Sequence, residues 1–309
     1  MLSYRHAFHA GNAADVLKHA VLMFCLDYLR QKEKSFLVVD THAGAGFYSL
    51  AEGYAAQNRE WERGVWRLLD QFHLPPLLAD YTTLVREALG GELPPAGRYP
   101  GSPALIQKLL REQDRAVCFE LHPADFTALR ENFSTDRRFR LLREDGLGGL
   151  KALLPPSSRR GCVFIDPSYE MKSDYSTAPE HLAEALRRFP TGLYITWYPL
   201  LGRKSGAGLP AEAGGEGEAL RETLRGLYGG NRCTVELRTA KPPALPGTFP
   251  GVPGVRFSGT NSAPRMYGSG MVIYNPPWTL REALAESLPV LASLLGGEQG
   301  CWDLWWEGE

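Results

Sequence analysis

The segment Gly161-Cys162-Val163-Phe164-Ile165-Asp166-Pro167-Ser168-Tyr169-Glu170 is apolar and then abruptly polar, and the rest of the chain is read outward from it. The β-branched and aromatic residues after Gly161 predict a buried parallel strand. Asp166-Pro167 ends it, because proline has no N–H to give to a ladder. In an open α/β sheet, ligands bind beyond the carboxyl ends of the strands, so the Asp166 carboxylate, the Pro167 carbonyl and the Tyr169 ring are expected to face one crevice. Two acceptors and a flat ring suit a planar base carrying an amino group: the amine offers two N–H donors, and the ring a face for stacking worth roughly 1–3 kcal/mol. The plainer meaning of these residues is a strand followed by a proline-led turn, so the surroundings have to choose.

Working back toward the start, apolar strands are predicted over 36–40, 116–120 and, more amphipathic, 138–143. They end on Asp40, Glu120 and Asp145, as the segment above ends on Asp166. Acids repeated at strand ends serve no packing purpose. A carboxylate accepts from both hydroxyls of a ribose, and another acid takes an adenine amino group, so the series suits an adenosine-containing cofactor. The run Asp40-Thr41-His42-Ala43-Gly44-Ala45-Gly46 follows the first strand, and its small residues let backbone N–H groups approach a ligand closely. Between 52 and 97 the alternation fails: helical patterns, proline pairs and no convincing strand predict an inserted helical subdomain over 51–97, with the α/β domain in 1–50 and 98–309. A helix from residue 102 has Ser102 placed to cap it and Pro103 at its first position. The N-terminal arm, rich in aromatics and imidazoles, reads as a binding arm. The helix from residue 15 to near 31 carries Lys18 and His19 on its first turns, where the dipole favours acids instead.

Downstream, strands are expected over 192–197, 233–239 and 270–274, a Gly/Ala-rich loop over 202–217, a proline-rich excursion over 241–254, and a last helix over 280–295 before an apolar tail. That makes seven strands, mostly parallel. Asn275-Pro276-Pro277-Trp278 rivals Asp166-Pro167-Ser168-Tyr169 by composition, but a seventh strand lies further from the glycine turn in a sheet of this winding. Its plainer meaning is a rigid turn into the last helix.

The 309 residues, 44% of them hydrophobic, are ample for a sizeable core, and a formal net charge of −1 leaves any polyanion site to a local basic patch. Arg137, Arg138, Arg140, Arg143, Arg159 and Arg160 are candidates for such a patch. The five cysteines stand apart without paired spacing, so reduced thiols and no metal are expected. A polar start and the lack of an apolar span predict a cytoplasmic protein that avoids membranes, and we expect a monomer.

Together, His9-Ala-Gly-Asn-Ala-Ala-Asp-Val-Leu-Lys18-His19, residues 40–46, Pro100-Gly-Ser-Pro103, Glu120-Leu-His-Pro123, Glu144-Asp-Gly146 and Asp166-Pro-Ser-Tyr169 resemble the bacterial 23S ribosomal RNA adenine-N6 methyltransferases of the RlmJ type, from Met1 to the last helix. The resemblance implies a Rossmann-like class I fold, S-adenosylmethionine as methyl donor and one adenine of 23S rRNA as substrate. It also implies that His19, His42, Ser102, Glu120, Asp145 and Gly146 contact the cofactor beside Gly44, and that Asp166 accepts from the amine next to it. Tyr4 would hold or flip the base, with His6 and Lys18 lining the site. The family usually has a second proline where this chain has Ser168, which leaves the Pro167 carbonyl and Tyr169 in place. Three other readings stay open: an adenine methyltransferase acting on DNA, an NAD-dependent oxidoreductase whose second-strand acid binds ribose, and a non-catalytic RNA-binding protein. Asp-Pro-Ser-Tyr is no hydride-transfer site, and so many strand-end carboxylates repel phosphate.

Overall fold

The computed structural model describes residues 6–90, 97–201, 216–240 and 266–308. A 3-10 turn, His6–Phe8, leads into α1 (Ala13–Arg30), which is capped by Asn12 accepting the Asp15 N–H at 3.0 Å. Then come β1 (Leu37–Asp40), the glycine turn and a short β2 (Phe47–Ser49). Helices α2 (Gly53–Asn58), α3 (Val65–Leu69) and α4 (Pro76–Ala88) follow with no strand between them. β3 (Arg98–Pro100) returns antiparallel to β2, a ribbon at the base of the helical stretch that strands this short do not announce in sequence.

Strand and helix then alternate: α5 (Ser102–Leu109), β4 (Arg115–Phe119), α6 (Pro123–Phe133), β5 (Phe139–Leu142), α7 (Gly146–Leu153), β6 (Gly161–Ile165), α8 (Asp174–Arg188) and β7 (Leu193–Leu201). After them come α9 (Glu216–Gly226), β8 (Arg232–Arg238), β9 (Met266–Tyr274), α10 (Leu280–Gly296) and β10 (Cys301–Glu307). The main sheet runs β10-β8-β9-β7-β6-β1-β4-β5; the pairs among β5, β4, β1, β6 and β7 are parallel, and those involving β9 and β10 antiparallel.

Among the described residues the sheet has eight strands rather than the expected seven. The extra one is the tail: Cys301–Glu307 pairs with the whole of β8, and the Trp305 ring lies against the guanidinium groups of Arg221 and Arg225 at 5.4 and 5.6 Å. Its tryptophans read as an apolar tail because the strand sits at an edge, where neither face is deeply covered. β7 also runs past Tyr198-Pro199, since β6 pairs only as far as Thr196 and the later residues need a partner only in β9. α8 begins at Asp174, and Pro179 lies inside it.

α1 is buried on nearly every side. The sheet lies on one flank, while α4, α5 and α10 close the others. That enclosure carries Asp15, Lys18 and His19 into the interior with Val16, Leu17, Ala20 and Val21. Of the loops expected to extend the molecule, 202–215 and 241–254 lie outside the described residues, and 216–217 open α9.

Candidate active site

Parallel pairing brings β1 and β6 level. Asp40 stands opposite Phe164, and the Phe164 carbonyl accepts from both the Thr41 N–H and the Thr41 hydroxyl, each at 3.1 Å. Asp166, two residues further on, therefore leaves its strand beside the turn that ends in Gly44 and Gly46. Both glycines have φ in the left-handed region, +60° and +80°, which side-chain-bearing residues rarely adopt. Glu120, at the end of the neighbouring β4, pins this turn: Oε2 accepts the Gly44 N–H at 2.8 Å, and Oε1 the His122 N–H at 2.6 Å. Burial raises the Glu120 pKa above the usual carboxylate value although both amides oppose it. Tyr48 supports the turn from below, accepting the Ala45 N–H at 3.1 Å.

The second flank of the crevice comes from α1. Lys18 Nζ lies 2.6 Å from Asp166 Oδ2 and 3.1 Å from Asp15 Oδ1, with the Trp197 ring centroid at 4.9 Å. The longer contact is an ion pair by distance but falls short of hydrogen-bond geometry, so its attraction is chiefly coulombic. Burial pulls the Lys18 pKa down, but Asp166 and Asp15 outweigh it and hold the ammonium above its ordinary value. Asp15 Oδ2 accepts the Gly11 N–H at 2.9 Å and lies 3.0 Å from His6 Nε2. Burial pushes the Asp15 pKa up, yet His6, Lys18 and His19 carry it well below the usual range.

The expected cofactor residues fall into two groups. Gly44, Glu120, Asp145, Gly146, His42 and Asp166 gather at the carboxyl ends of β1, β4, β5 and β6. Asp145 is exposed and caps α7, accepting from Leu147 N–H at 3.1 Å and Gly148 N–H at 3.2 Å. At Gly146 an added Cβ would fall 2.2 Å from the Thr41 carbonyl oxygen, so the residue permits a close crossing of β1 and α7. His42 is half-buried with Nδ1 2.8 Å from the Thr41 hydroxyl, and burial lowers its pKa to about 4. Ser102 and His19 lie deeper. Ser102 is the first residue of α5 rather than its cap, which is Gly101, and its hydroxyl lies toward the Asp40 carboxyl and favours its ionised form. His19 is buried with Nδ1 2.8 Å from the Tyr99 hydroxyl, which in turn meets the Tyr81 hydroxyl at 2.9 Å; burial lowers its pKa to about 4.

Tyr169 does not offer an open stacking platform. Its ring is 5% exposed, packed against Tyr175 and Trp197, and its hydroxyl donates to the Trp197 carbonyl at 3.0 Å. Its φ of +53° is uncommon for a residue with a side chain, and it turns the backbone sharply just after the Pro167 carbonyl. Tyr4 lies outside the described residues. His6 is half-buried, edge-on to Tyr48 at 5.3 Å. The arm is held down by the helical stretch: Glu60 meets His9 Nδ1 at 3.0 Å and the Asn12 amide at 3.0 Å, and Phe8 packs on Tyr54.

Two sequence candidates sit elsewhere. β9 runs antiparallel to β7, so Asn275 emerges at the amino-end edge of the sheet, where its amide donates to the carbonyls of Pro190 at 2.8 Å and Gly192 at 2.6 Å. Its distance from the site follows from strand direction as much as from strand order. Arg138 and Arg160 also precede their strands, and their guanidinium groups bond the carbonyls of Leu110 and of Lys34 and Leu29 respectively. Asp15 escaped the sequence reading as a site residue because an acid in a first helical turn passes for a cap. Trp197 escaped it as an ordinary strand residue.

An open sheet of this order, with a glycine turn after β1, is the fold of a Rossmann-like, class I methyltransferase. The chain matches the family described as ribosomal RNA large subunit methyltransferase D, RlmJ, over residues 33–209 and 255–308. It is 39% identical to ribosomal RNA large subunit methyltransferase J of Haemophilus influenzae, covering 99% of both chains. With the Escherichia coli protein of that name the identity is 40%, covering 96% of this chain and 94% of the other. A crystal structure from Legionella pneumophila superposes with a TM-score of 0.78 at 30% identity, covering 97% of this chain and 99% of that one. The chain belongs to the RlmJ family. Among the described residues, no helix is long and apolar enough to cross a membrane.

Proposed function

We propose that this protein methylates N6 of an adenine in 23S ribosomal RNA, with S-adenosylmethionine as donor. The observation that carries the reading is the position of Asp166: it leaves β6 beside the Gly44–Gly46 turn with one carboxylate oxygen held by a buried ammonium.

The donor set fits the cofactor. The turn brings backbone amides close, Glu120 is fixed at the strand end where a ribose diol needs an acceptor, and Asp145 stands exposed at the end of β5 for an adenine amine. Asp40 Oδ2, buried without a partner, is a polar atom still unsatisfied behind the turn. When bound, S-adenosylmethionine supplies an electrophilic methyl group on a sulfonium.

The chain's own residues deal with the amine. The N6 lone pair is delocalised into the purine, so the amine is a poor nucleophile until it is drawn out of conjugation. Lys18 occupies Asp166 Oδ2, which leaves Asp166 Oδ1 and the Pro167 carbonyl for the two N6–H bonds. Together these acceptors aim the lone pair across the crevice, a gain of orientation made before the reaction. The hydrogen bond to Oδ1 holds the proton that the methylated amine sheds. Lys18 reaches the base only through Asp166, and Tyr169 serves as a wall that fixes the Pro167 carbonyl. Taking the base from its stack costs a few kcal/mol, which falls to the arm around His6.

The test is incubation with radiolabelled S-adenosylmethionine and, separately, protein-free 23S rRNA, duplex DNA and ribosomal protein. Label should appear in the RNA as N6-methyladenosine by mass spectrometry, and Asp166→Ala should abolish it while still binding S-adenosylhomocysteine. Label in DNA or protein, or an active Asp166→Ala, would overturn the proposal.

A further inference from the structure

We infer that Asp15 is a positioning residue for methyl transfer: from inside α1 it holds Lys18 against Asp166 and ties the arm to the same point through His6. The inference rests on the role proposed for Asp166 and deepens it.

Asp15 is completely buried, and its two oxygens face different ways. Oδ2 takes the Gly11 N–H and His6 Nε2, which fixes the path of the arm. Oδ1 faces Lys18 Nζ one turn along the helix, a spacing that puts both side chains on one face. The Lys18 side chain is 4% exposed, and beyond it lies Asp166 Oδ2. An ammonium with one carboxylate can swing about it; between two it is held from both sides. The direction of Asp166 Oδ1 then depends on Asp15, although Asp15 touches neither substrate nor cofactor.

A purely structural role does not account for this placement. α1 already has its cap in Asn12, and an acid that complements the helix dipole does so as well in water. Burying a carboxylate is costly unless its partners are fixed, and here every partner leads to the crevice or to the arm over it. Asp15 and His19 on α1, His9 on the arm and Asp166 at the end of β6 interact electrostatically with Lys18, and His6 on the arm acts on Asp15 and His19.

The experiment compares single-turnover methylation of protein-free 23S rRNA by the wild type and by Asp15→Asn, Lys18→Met and the double variant, with Asp166→Ala alongside and S-adenosylhomocysteine affinity measured by calorimetry. Asp15→Asn should react about 100-fold more slowly, the loss that an ångström of misplacement brings, with cofactor affinity and KM for RNA unchanged. The alkaline limb of its pH–rate profile should move to lower pH, because Lys18 keeps its burial but loses one of the carboxylates that hold its proton. The double variant should react no more slowly than Lys18→Met. Should Asp15→Asn fail to fold, that last comparison decides by itself, since the double variant leaves no unbalanced lysine. Wild-type rates in Asp15→Asn or in Lys18→Met, or a further loss of about tenfold in the double variant, would overturn the inference. An inactive wild type or an active Asp166→Ala would instead overturn the function on which it rests.

Discussion

Replacing Asp40 by asparagine should change how stability depends on pH, and not only its level. Asp40 ends β1 with no exposed surface; Oδ1 accepts the His42 N–H at 3.2 Å, the Ser102 hydroxyl lies toward the carboxyl, and Oδ2 has no partner. Burial, reinforced by the nearby Asp166 and Glu120 and opposed by Ser102 and the His42 N–H, pushes the carboxyl up from 3.8 to about 7. The folded protein therefore keeps a proton that the unfolded chain releases as pH rises through 3.8, so stability falls with rising pH until the folded group also ionises near 7. At about 1.36 kcal/mol per unit, a shift of roughly three units costs about 4 kcal/mol in all. About 2–3 kcal/mol of that falls between about pH 5 and pH 8. The asparagine side chain, which does not titrate, carries no such loss. Its amide N–H2 would stand where Oδ2 lacks a partner, but that penalty is the same at every pH. His19 and His42, both held near 4, lose stability in the opposite direction as pH falls below the ordinary 6.5, and they do so equally in both proteins. Urea unfolding of the cofactor-free proteins across this range gives the difference directly, and Asp40→Asn should gain on the wild type as pH rises, levelling off above about 7. Parallel curves would show that Asp40 is ionised throughout and would refute the reasoning.

Two further substitutions separate packing from chemistry. Gly146→Ala places a methyl 2.2 Å from the Thr41 carbonyl oxygen, and since backbone cannot rotate aside, about 1–3 kcal/mol of stability should be lost in urea, with weaker S-adenosylhomocysteine binding by calorimetry. Unchanged binding would mean that α7 does not set the glycine turn. Asn275→Asp removes both N–H donors to Pro190 and Gly192 and sets a carboxylate against two carbonyls, costing about 1–3 kcal/mol. Methyl transfer per folded molecule should not change; a fall would restore Asn275-Pro276-Pro277-Trp278 as a rival acceptor.

β1, β4 and β6 were legible because they are largely buried on both faces and read as apolar runs ending in acids. β10 was not, because at a sheet edge burial imposes no alternation, and tryptophans meeting arginine side chains look like any apolar tail. β2 and β3 are too short for a period to register. That Glu120 and the glycine turn lie together followed from position alone, since strand ends in such a sheet converge. Ser102 did not: a serine before a proline looks like a cap, and only the tertiary fold turns its hydroxyl toward Asp40. Tyr169 was readable as an aromatic beside the site but not as a buried one, because its environment is built by Trp197 and Tyr175 from other elements.

The polar residues of α1 show why the arm, the helix and the helical stretch belong to the site as much as the sheet does. A helix packed on all sides gains most from apolar side chains, and each buried charge costs several kcal/mol unless it is paired. Asp15, Lys18 and Asp166 meet that requirement with one another and, for Asp15, with His6 on the arm, and they come from α1 and from the end of β6, distant in sequence. The pairing therefore exists only when α1 is seated on the sheet. That seating depends on Tyr81 and Tyr99 closing over His19 from the far side, and on Glu60 holding the arm through His9 and Asn12. Through these contacts the helical stretch bears on the geometry of the crevice. Changes there should act on the rate through α1, and they should do so before the sheet itself loosens.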